Sequence, residues 1–558
     1  DLQFSKMSAP SASIRPLPKH PTLFQVSARI ITFELGHVLK RKATLEDIPD
    51  EYLDRISALG FDIFYLLGVW STGQRSLEEA RKHMKKISPQ TPQDHVCSSP
   101  FSVTGYDVHS DFGGNEALKT LRMRLGKRGM RLLVDFIPNH IAHDHPWVQD
   151  SPHFIFPGND HLLHTQPQNF FKGHHGKIFA HGKDPYFDGW QDTCQLNYAE
   201  EALRRQQTEV LEKISTMADG VRCDMAMLVT TDIFRKTWGG LYHQATGRDL
   251  GHFEEFWPKA IKSVKSKNPE FIFMAEVYWD MEFHLQKQGF DYCYDKRLFD
   301  RLKLREGNEA RMHLHADLGY QSKLVRFLEN HDEDRSADTF KHINEHRAAA
   351  VACFTSPGCR FFYDGQLEGR KFHLEMQRVV RPPEAPNPEA SGLYMSILDI
   401  LRRPAIRNGD WIKAEVYAGG EGNDSWHNVI AHFWAPPLPL KAVPETTATT
   451  ELTDESGRPI IDPAGFRGVY YACPLLCVSN FSGHEAVCHV KFPGQVTDKL
   501  PSYLATVPPH KTRDQPEVLL HGLLGIENYG RRIGEAQHKG VWFKLHPWQA
   551  NVFALYAV

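Results

Sequence analysis

No apolar run in this sequence approaches the roughly 18 to 20 residues needed to span a bilayer, and the opening stretch DLQFSKMSAPSASIRP carries no apolar signal core. A soluble chain without a membrane partner is therefore expected. Charge of one sign is also missing: 65 Lys and Arg face 68 Asp and Glu, a formal net of −3, with no long basic stripe. That leaves no electrostatic footprint for nucleic acid or an anionic bilayer, so a neutral substrate fits better. The nine cysteines are scattered and form no CxxC pair, which argues against a disulfide framework and a zinc ribbon alike. A cytoplasmic or other soluble reducing compartment is the simpler expectation, and the sequons at Asn423 and Asn480 matter only in a secreted protein.

At 558 residues the chain exceeds what one hydrophobic core organises, so a large domain plus at least one more is expected. Residues 1–21, rich in Ser and Pro, read as a tail. From Thr22 short apolar runs alternate with amphipathic stretches. LFQVSARIITFEL reads as a strand, EDIPDEYLDRISALG as a helix with a Gly stop, and FDIFYLLGVW as a strand. NEALKTLRMRLGKRG reads as a further helix, followed by RLLVDFIPNH as a buried strand. DGVRCDMAM, EFIFMAEVY, FDYCYDK, KLVRFLENHD and CRFFYDG bring the strand count to eight, which predicts a closed (β/α)8 TIM barrel over 22–407. The His-, Pro- and Gly-rich stretch 141–196 is too long for a simple connection and reads as a subdomain inserted after strand 3. After Arg407 the helical period stops, and alternating segments predict a C-terminal antiparallel β-sandwich over 408–558, interrupted by the Pro/Thr/Glu-rich loop PPLPLKAVPETTATTELTDESGRP.

Three carboxylates stand at strand ends: Asp224 in GVRCDMAM, Glu276 in FIFMAEVYW and Asp332 in RFLENHDE. A barrel that cuts or rebuilds glycosidic bonds needs such groups at the C-terminal face. Arg222 and Asp224 are two residues apart on a strand and share a face, so Arg222 should hold Asp224 ionised with a lowered pKa, as suits a nucleophile. Glu276 lies among Phe271, Phe273, Met274, Tyr278 and Trp279, where desolvation should raise its pKa, as suits an acid that later serves as base. In a retaining glycosidase the two groups sit about 5 to 5.5 Å apart, within reach of neighbouring strands.

The segments LLVDFIPNH, GVRCDMAML, MAEVYW and FLENHDE follow the order and approximate spacing of the four signature regions of the α-amylase superfamily, glycoside hydrolase family 13, and QLNYAEEALR resembles its fifth. The resemblance covers roughly 22–407. It implies Asp224 as nucleophile, Glu276 as acid/base and Asp332 as the third carboxylate. It also implies that Arg222 orients the nucleophile, that His140 and His331 bond the donor sugar, and that Asp135 supports that subsite. Asn139 matches a position that often serves calcium, with a backbone carbonyl at Leu228 as a possible companion; no cofactor is otherwise required. SPFSVTGYDVHSDFGG resembles a segment that supplies an aromatic platform, here Phe101 with Tyr106 close by. The second region departs from many endo-amylases, carrying Met227 and Leu228 where Lys-His is common.

The expected activity is thus retaining hydrolysis or transglycosylation on α-linked glucosides, foremost α-1,4-gluco-oligosaccharides or α-glucans. The alternatives are transfer or phosphorolysis on a disaccharide such as sucrose or trehalose, and a non-catalytic glycan-binding barrel. Several residues have bland readings beside functional ones. His140, His143 and His145 with Asp144 read first as polar loop rather than a metal site, and Trp147, Trp190, Tyr278 and Trp279 as packing rather than sugar platforms. Cys223 reads as a buried small hydrophobe, and RKHMKK at 81–86 as a solvated helix face. The oligomeric state has no sequence signal.

Overall fold

The computed structural model describes residues 16–437, 473–498, 500 and 516–557. Most of the expected N-terminal tail and of the Pro/Thr/Glu-rich loop lies outside the described residues. Eight parallel strands close into a barrel in which every strand pairs with its sequence neighbours. They are β1 (Thr22–Ser27), β2 (Ile63–Leu67), β3 (Arg131–Phe136), β4 (Gly220–Cys223), β5 (Ile272–Ala275), β6 (Tyr292–Tyr294), β7 (Leu324–Arg326) and β8 (Cys359–Tyr363). Each falls inside one of the eight apolar runs read from the sequence, save that β1 begins one residue earlier, at Thr22. Strands buried on both faces read as continuous Val/Ile/Leu/Phe runs because barrel interior and helical ring are both apolar. Gly358 opens β8 at φ +115°, where a Cβ would run into the Leu324 carbonyl, so close approach of β7 and β8 requires glycine there.

One expectation is corrected at the start. LFQVSARIITFEL is a strand only to Ser27; Ala28–Leu39 is helix α1, with Ala28, Ile30, Ile31 and Thr32 buried. A short apolar run does not distinguish the two periods, and the barrel needs only six residues of it as strand. The helices read from EDIPDEYLDRISALG and NEALKTLRMRLGKRG are α2 (Asp50–Ala58) and α4 (Gly114–Lys127), and between them lies α3 (Gln74–Ile87).

Between β3 and the next barrel helix, Glu201–Ser215, the chain forms two small hairpins, His140–Ala142 with Thr193–Gln195 and Phe170–Lys172 with Ile178–Ala180. His143, Phe171 and His181 pack ring on ring there, while His145 accepts the Trp147 N–H as a helix cap. These histidines stabilise the insertion. No cluster of three or more His, Cys, Asp or Glu suited to a metal exists among the described residues.

The C-terminal part adds β9 (Asp410–Lys413), β10 (Glu415–Ala418), β11 (Val429–Ala435), β12 (Leu475–Asn480), β13 (Ala486–Lys491), β14 (Glu517–Gly522), β15 (Asn528–Arg532), β16 (Val541–Leu545) and β17 (Ala550–Ala557). They form antiparallel sheets in the orders β9-β11-β12-β17-β14-β15 and β10-β13-β16. The inner faces share an apolar core in which Phe433 meets Phe492 and Phe543 meets Phe553. Trp434 on β11 donates its indole N–H to the Thr355 carbonyl at 2.7 Å, fastening the sheets to the barrel. Among the described residues no helix is long and apolar enough to cross a membrane.

Candidate active site

Strand register brings the first two acids together. Cys223 on β4 pairs with Ala275 on β5, so the next residues, Asp224 and Glu276, leave the sheet side by side at its C-terminal edge. Main-chain bonds hold both exits: Asp224 N–H donates to Phe136 O at 2.9 Å and Glu276 N–H to Cys223 O at 3.0 Å. Asp332 arrives differently. β7 stops at Arg326, and the acid sits six residues further on, in a turn where the Asn330 side chain accepts the Asp332 and Glu333 N–H groups at 2.9 and 3.0 Å.

Arg222 gathers the three. Its guanidinium is fully buried, with Nη1 2.6 Å from Asp224 Oδ1 and Nη2 2.9 Å from Glu276 Oε2 and 3.8 Å from Asp332 Oδ2. The rings of Phe101 and Tyr294 lie 5.2 and 5.8 Å from its Cζ, within cation–π range. Glu276 is further gripped by the Met225 N–H on Oε2 and the Tyr278 hydroxyl on Oε1, both at 2.7 Å. Met225 adopts a left-handed backbone at φ 42°, an uncommon conformation for a side chain of its size.

Electrostatics depart from expectation in one respect. Burial pushes the Asp224 carboxyl above its usual range, and the Arg222 charge and hydrogen bond, joined by a hydrogen bond to Glu276, only pull against this. The expected lowering is therefore overturned, because the burial of Asp224 outweighs the pull of Arg222. Glu276 is pushed up to about 7, first by burial, as its apolar neighbourhood predicts. Asp332 moves up too by burial, although its side chain keeps 30% of its surface.

His331 is driven down to about 3, first by burial, and is neutral. Gln25 Nε2 lies 2.9 Å from its Nδ1; with the amide donating, the ring proton is on Nε2, 3.1 Å from Asp332 Oδ2. Gln25 was not singled out by the sequence reading. Its signal was a polar residue inside the strand TLFQVS, fully buried here.

A cavity of about 730 Å³ opens over this cluster, and its wall includes Asp224, Glu276, Asp332, Phe101, His140 and Trp190. Tyr278 also faces it, so Trp190 and Tyr278 are at the site, whereas Trp147 packs on His145 and Phe154. Neither Asp135 nor Tyr106 lines the cavity. Asp135 is buried beneath it, with one oxygen on the Tyr65 hydroxyl and the other on the Gly68 N–H, at 2.6 and 2.7 Å. Tyr106 exchanges hydrogen bonds with the Ile137 main chain and is 6% exposed. Met227 and Leu228 are also buried, in a tight helical turn, so their side chains do not line the cleft.

The residues around Asn139 do not fit calcium well. Its side-chain oxygen accepts the Gln195 amide at 3.0 Å, and its carbonyl accepts the Leu196 N–H; a cation wanting six to eight oxygens would have to displace donors.

An eight-stranded parallel barrel with three acids drawn around one buried arginine at its C-terminal edge has the architecture of a carbohydrate-active β/α-barrel. Residues 51–391 match the family model described as alpha amylase, catalytic domain, and the chain belongs to that family. It is 22% identical over 393 residues to alpha-amylase MalA of Haloarcula japonica, covering 66% of this chain and 52% of that protein. It is 21% identical over 255 residues to the alpha-1,4-glucan:maltose-1-phosphate maltosyltransferase of Corynebacterium glutamicum, covering 43% of this chain and 30% of that one. The solved structure of a maltogenic alpha-amylase from Thermotoga neapolitana shares the fold, with a TM-score of 0.60 at 17% identity over 96% of this chain and 99% of its own. The chain spans about half the length of the amylase relatives it matches.

Proposed function

We propose that the protein is a retaining α-glycosidase or transglycosidase that acts on α-linked gluco-oligosaccharides by double displacement. The observation that carries this is the forked contact of Arg222 with Asp224 and Glu276. One proton serves the pair, and with Glu276 raised to about 7 it resides on Glu276 below that pH. Asp224 keeps the closer guanidinium nitrogen and the negative charge. It attacks the anomeric carbon while Glu276 protonates the departing oxygen, giving a β-glycosyl ester; Glu276, now ionised, takes the proton of the incoming water or sugar hydroxyl. In this reading Asp332, neutral His331 and His140 bond sugar hydroxyls and the Phe101 ring meets an apolar sugar face, which the presence of Asp332, His140 and Phe101 in the cavity lining supports.

Incubation with maltotriose, sucrose, trehalose and glycogen, with and without phosphate and followed by NMR, tests the reading. α-Glucose appearing first supports retention, longer products indicate transfer, and a sugar 1-phosphate indicates phosphorolysis. Four intact substrates would overturn the assigned substrate class.

Two consequences follow for pH. Activity should fall as pH rises through about 7, when Glu276 loses its proton. Tyr278→Phe removes a donor that favours the ionised form, so Glu276 should titrate higher still and the alkaline limb of kcat/KM should move up in pH; an unmoved limb would deny Tyr278 this role. The same raised pKa bears on stability. Glu276 binds a proton in the fold at pH values where the unfolded chain, near 4.5, has lost it, so stability drains away as pH rises from about 4.5 to about 7. Glu276→Gln mimics the protonated form. It should abolish activity yet melt above wild type at pH 8 and level with it at pH 4, as differential scanning fluorimetry would show.

A further inference from the structure

The cationic helix α3, which the sequence alone presents as a solvated surface, reaches the active-site cavity. Residues Ser76, Glu79, Ala80, His83 and Lys86 recur at helical spacing along one face, and all of them, with Lys82 beside them, line the cavity that holds Asp224, Glu276 and Asp332. Cavities are usually lined by an element's apolar face, yet α3 is anchored by a small apolar cluster of its own, Ala80 and Met84 with Val96, and its charged side is left toward the opening. Five Arg and Lys against two Glu stand in Gln74–Ile87, in a chain whose total is −3. Lys82 is matched by Glu79 at 2.7 Å. Lys86 and His83 have no hydrogen bond or ion pair among the described residues, and both are exposed. Asp224, Glu276 and Asp332 share this lining, as do Glu79 and Asp192, the latter accepting the Ser76 hydroxyl of α3 at 2.7 Å, so unpaired ammonium and imidazole groups and carboxylates border one cavity.

We propose that this face of α3 receives a phosphoryl group, and that the site therefore takes a phosphorylated sugar, or inorganic phosphate, in the cavity that the catalytic acids share. A neutral glucan gives ammonium groups nothing to neutralise, whereas a phosphate dianion can accept from Lys86, Lys82 and His83 together. In this proposal the three catalytic acids repel the same group, so the sugar ring faces Asp224 and the phosphate is held by Lys82, His83 and Lys86. This rests on the glycosidase reading of the acids, but recognition is independent of turnover.

The test accordingly measures binding to the full-length Asp224→Asn protein, which holds ligand without consuming it. Glucose, glucose 6-phosphate, α-glucose 1-phosphate and inorganic phosphate are titrated by calorimetry, with ³¹P NMR for the last three. The expected result is at least about tenfold tighter binding of one phosphorylated sugar than of glucose, corresponding to about 1.4 kcal/mol, weakening as salt rises from 50 to 300 mM. Lys82→Gln/Lys86→Gln should bring that ratio close to one, and Lys82→Arg/Lys86→Arg should restore it, which separates charge recognition from a helix that has merely come loose. Tight inorganic phosphate with no preference for sugar phosphates identifies phosphate as the acceptor arm of the proposal. Equal binding of glucose and its phosphates together with no phosphate binding overturns it, as does a ratio unmoved by the double glutamine variant. Loss of glycoside turnover in the wild type with the phosphate preference intact would instead overturn the reading of Asp224 and Glu276.

Discussion

Asp224→Asn reduces glycoside turnover by about 10⁴-fold or more, because the amide cannot form the glycosyl ester while Glu276, Asp332 and the binding groups remain in place. The substitution is nearly isosteric, and the closest guanidinium contact, at 2.6 Å to Oδ1, can be kept by the amide oxygen, so the fold should survive; melting within a few degrees of wild type is the control. Asp224→Ala provides the sharper version. With the carboxylate removed, a small anion such as azide can enter beside Arg222 and attack the face that Asp224 attacked, yielding a β-glycosyl azide from an activated α-glucoside. Activity of the Asn variant within tenfold of wild type would remove Asp224 from the role of nucleophile, and an α-configured azide would reverse the assignment of Asp224 and Glu276.

Arg222→Met should have an effect almost as large, and of a different kind. The guanidinium touches no reacting atom, yet it is the cation common to Asp224, Glu276 and Asp332 in a site closed to solvent on its side. Removing it leaves three buried or half-buried acids with no counter-charge. Both Asp224 and Glu276 already titrate above their usual range by burial, with Arg222 the main influence pulling them down. Without it they rise further, and Asp224 is protonated at neutral pH, where a nucleophile must be charged. A loss of roughly 10³-fold in kcat/KM at pH 7 is expected, about 4 kcal/mol of transition-state stabilisation. The sign of the stability change with pH is set by the same shifts. Carboxyls whose folded values rise further take more from stability as pH climbs above their unfolded values near 4, so the variant should lie closest to wild type at pH 4 to 5 and furthest from it at pH 8. Arg222→Lys should recover part of the melting temperature but little activity, since one ammonium cannot reach two carboxylates with parallel N–H groups. Melting curves whose difference from wild type is the same at pH 5 and pH 8 would show that the arginine acts by packing alone.

Much of the barrel was legible because its strands are buried on both faces and so appear as unbroken apolar runs, each ending near a charged or polar residue. The same property made LFQVSARIITFEL ambiguous, and only the closure of β1 between β2 and β8 stops the strand at Ser27. Asp224 and Glu276 were legible as strand-end acids. Asp135 and Tyr106 were legible as polar groups near the site, but whether a side chain faces the cleft or the core depends on who else competes for it. Tyr65 and Gly68 claim the first, and the Ile137 main chain the second. Gln25 was passed over because a single polar residue in a strand carries no partner in its own neighbourhood; its partner is 306 residues away.

By itself, then, the sequence determined which groups are available for bond chemistry and in what order along the chain they leave their strands, since these depend on residue type and local period. Tertiary structure decided how those groups are charged and what they face. Burial raised Asp224 where a neighbouring arginine alone would have lowered it, and the packing of α3 set Lys82, His83 and Lys86, still exposed, in the lining of the cavity that holds the acids. Dielectric surroundings and long-range neighbours exist only once the barrel closes, because both are set by atoms distant in the chain.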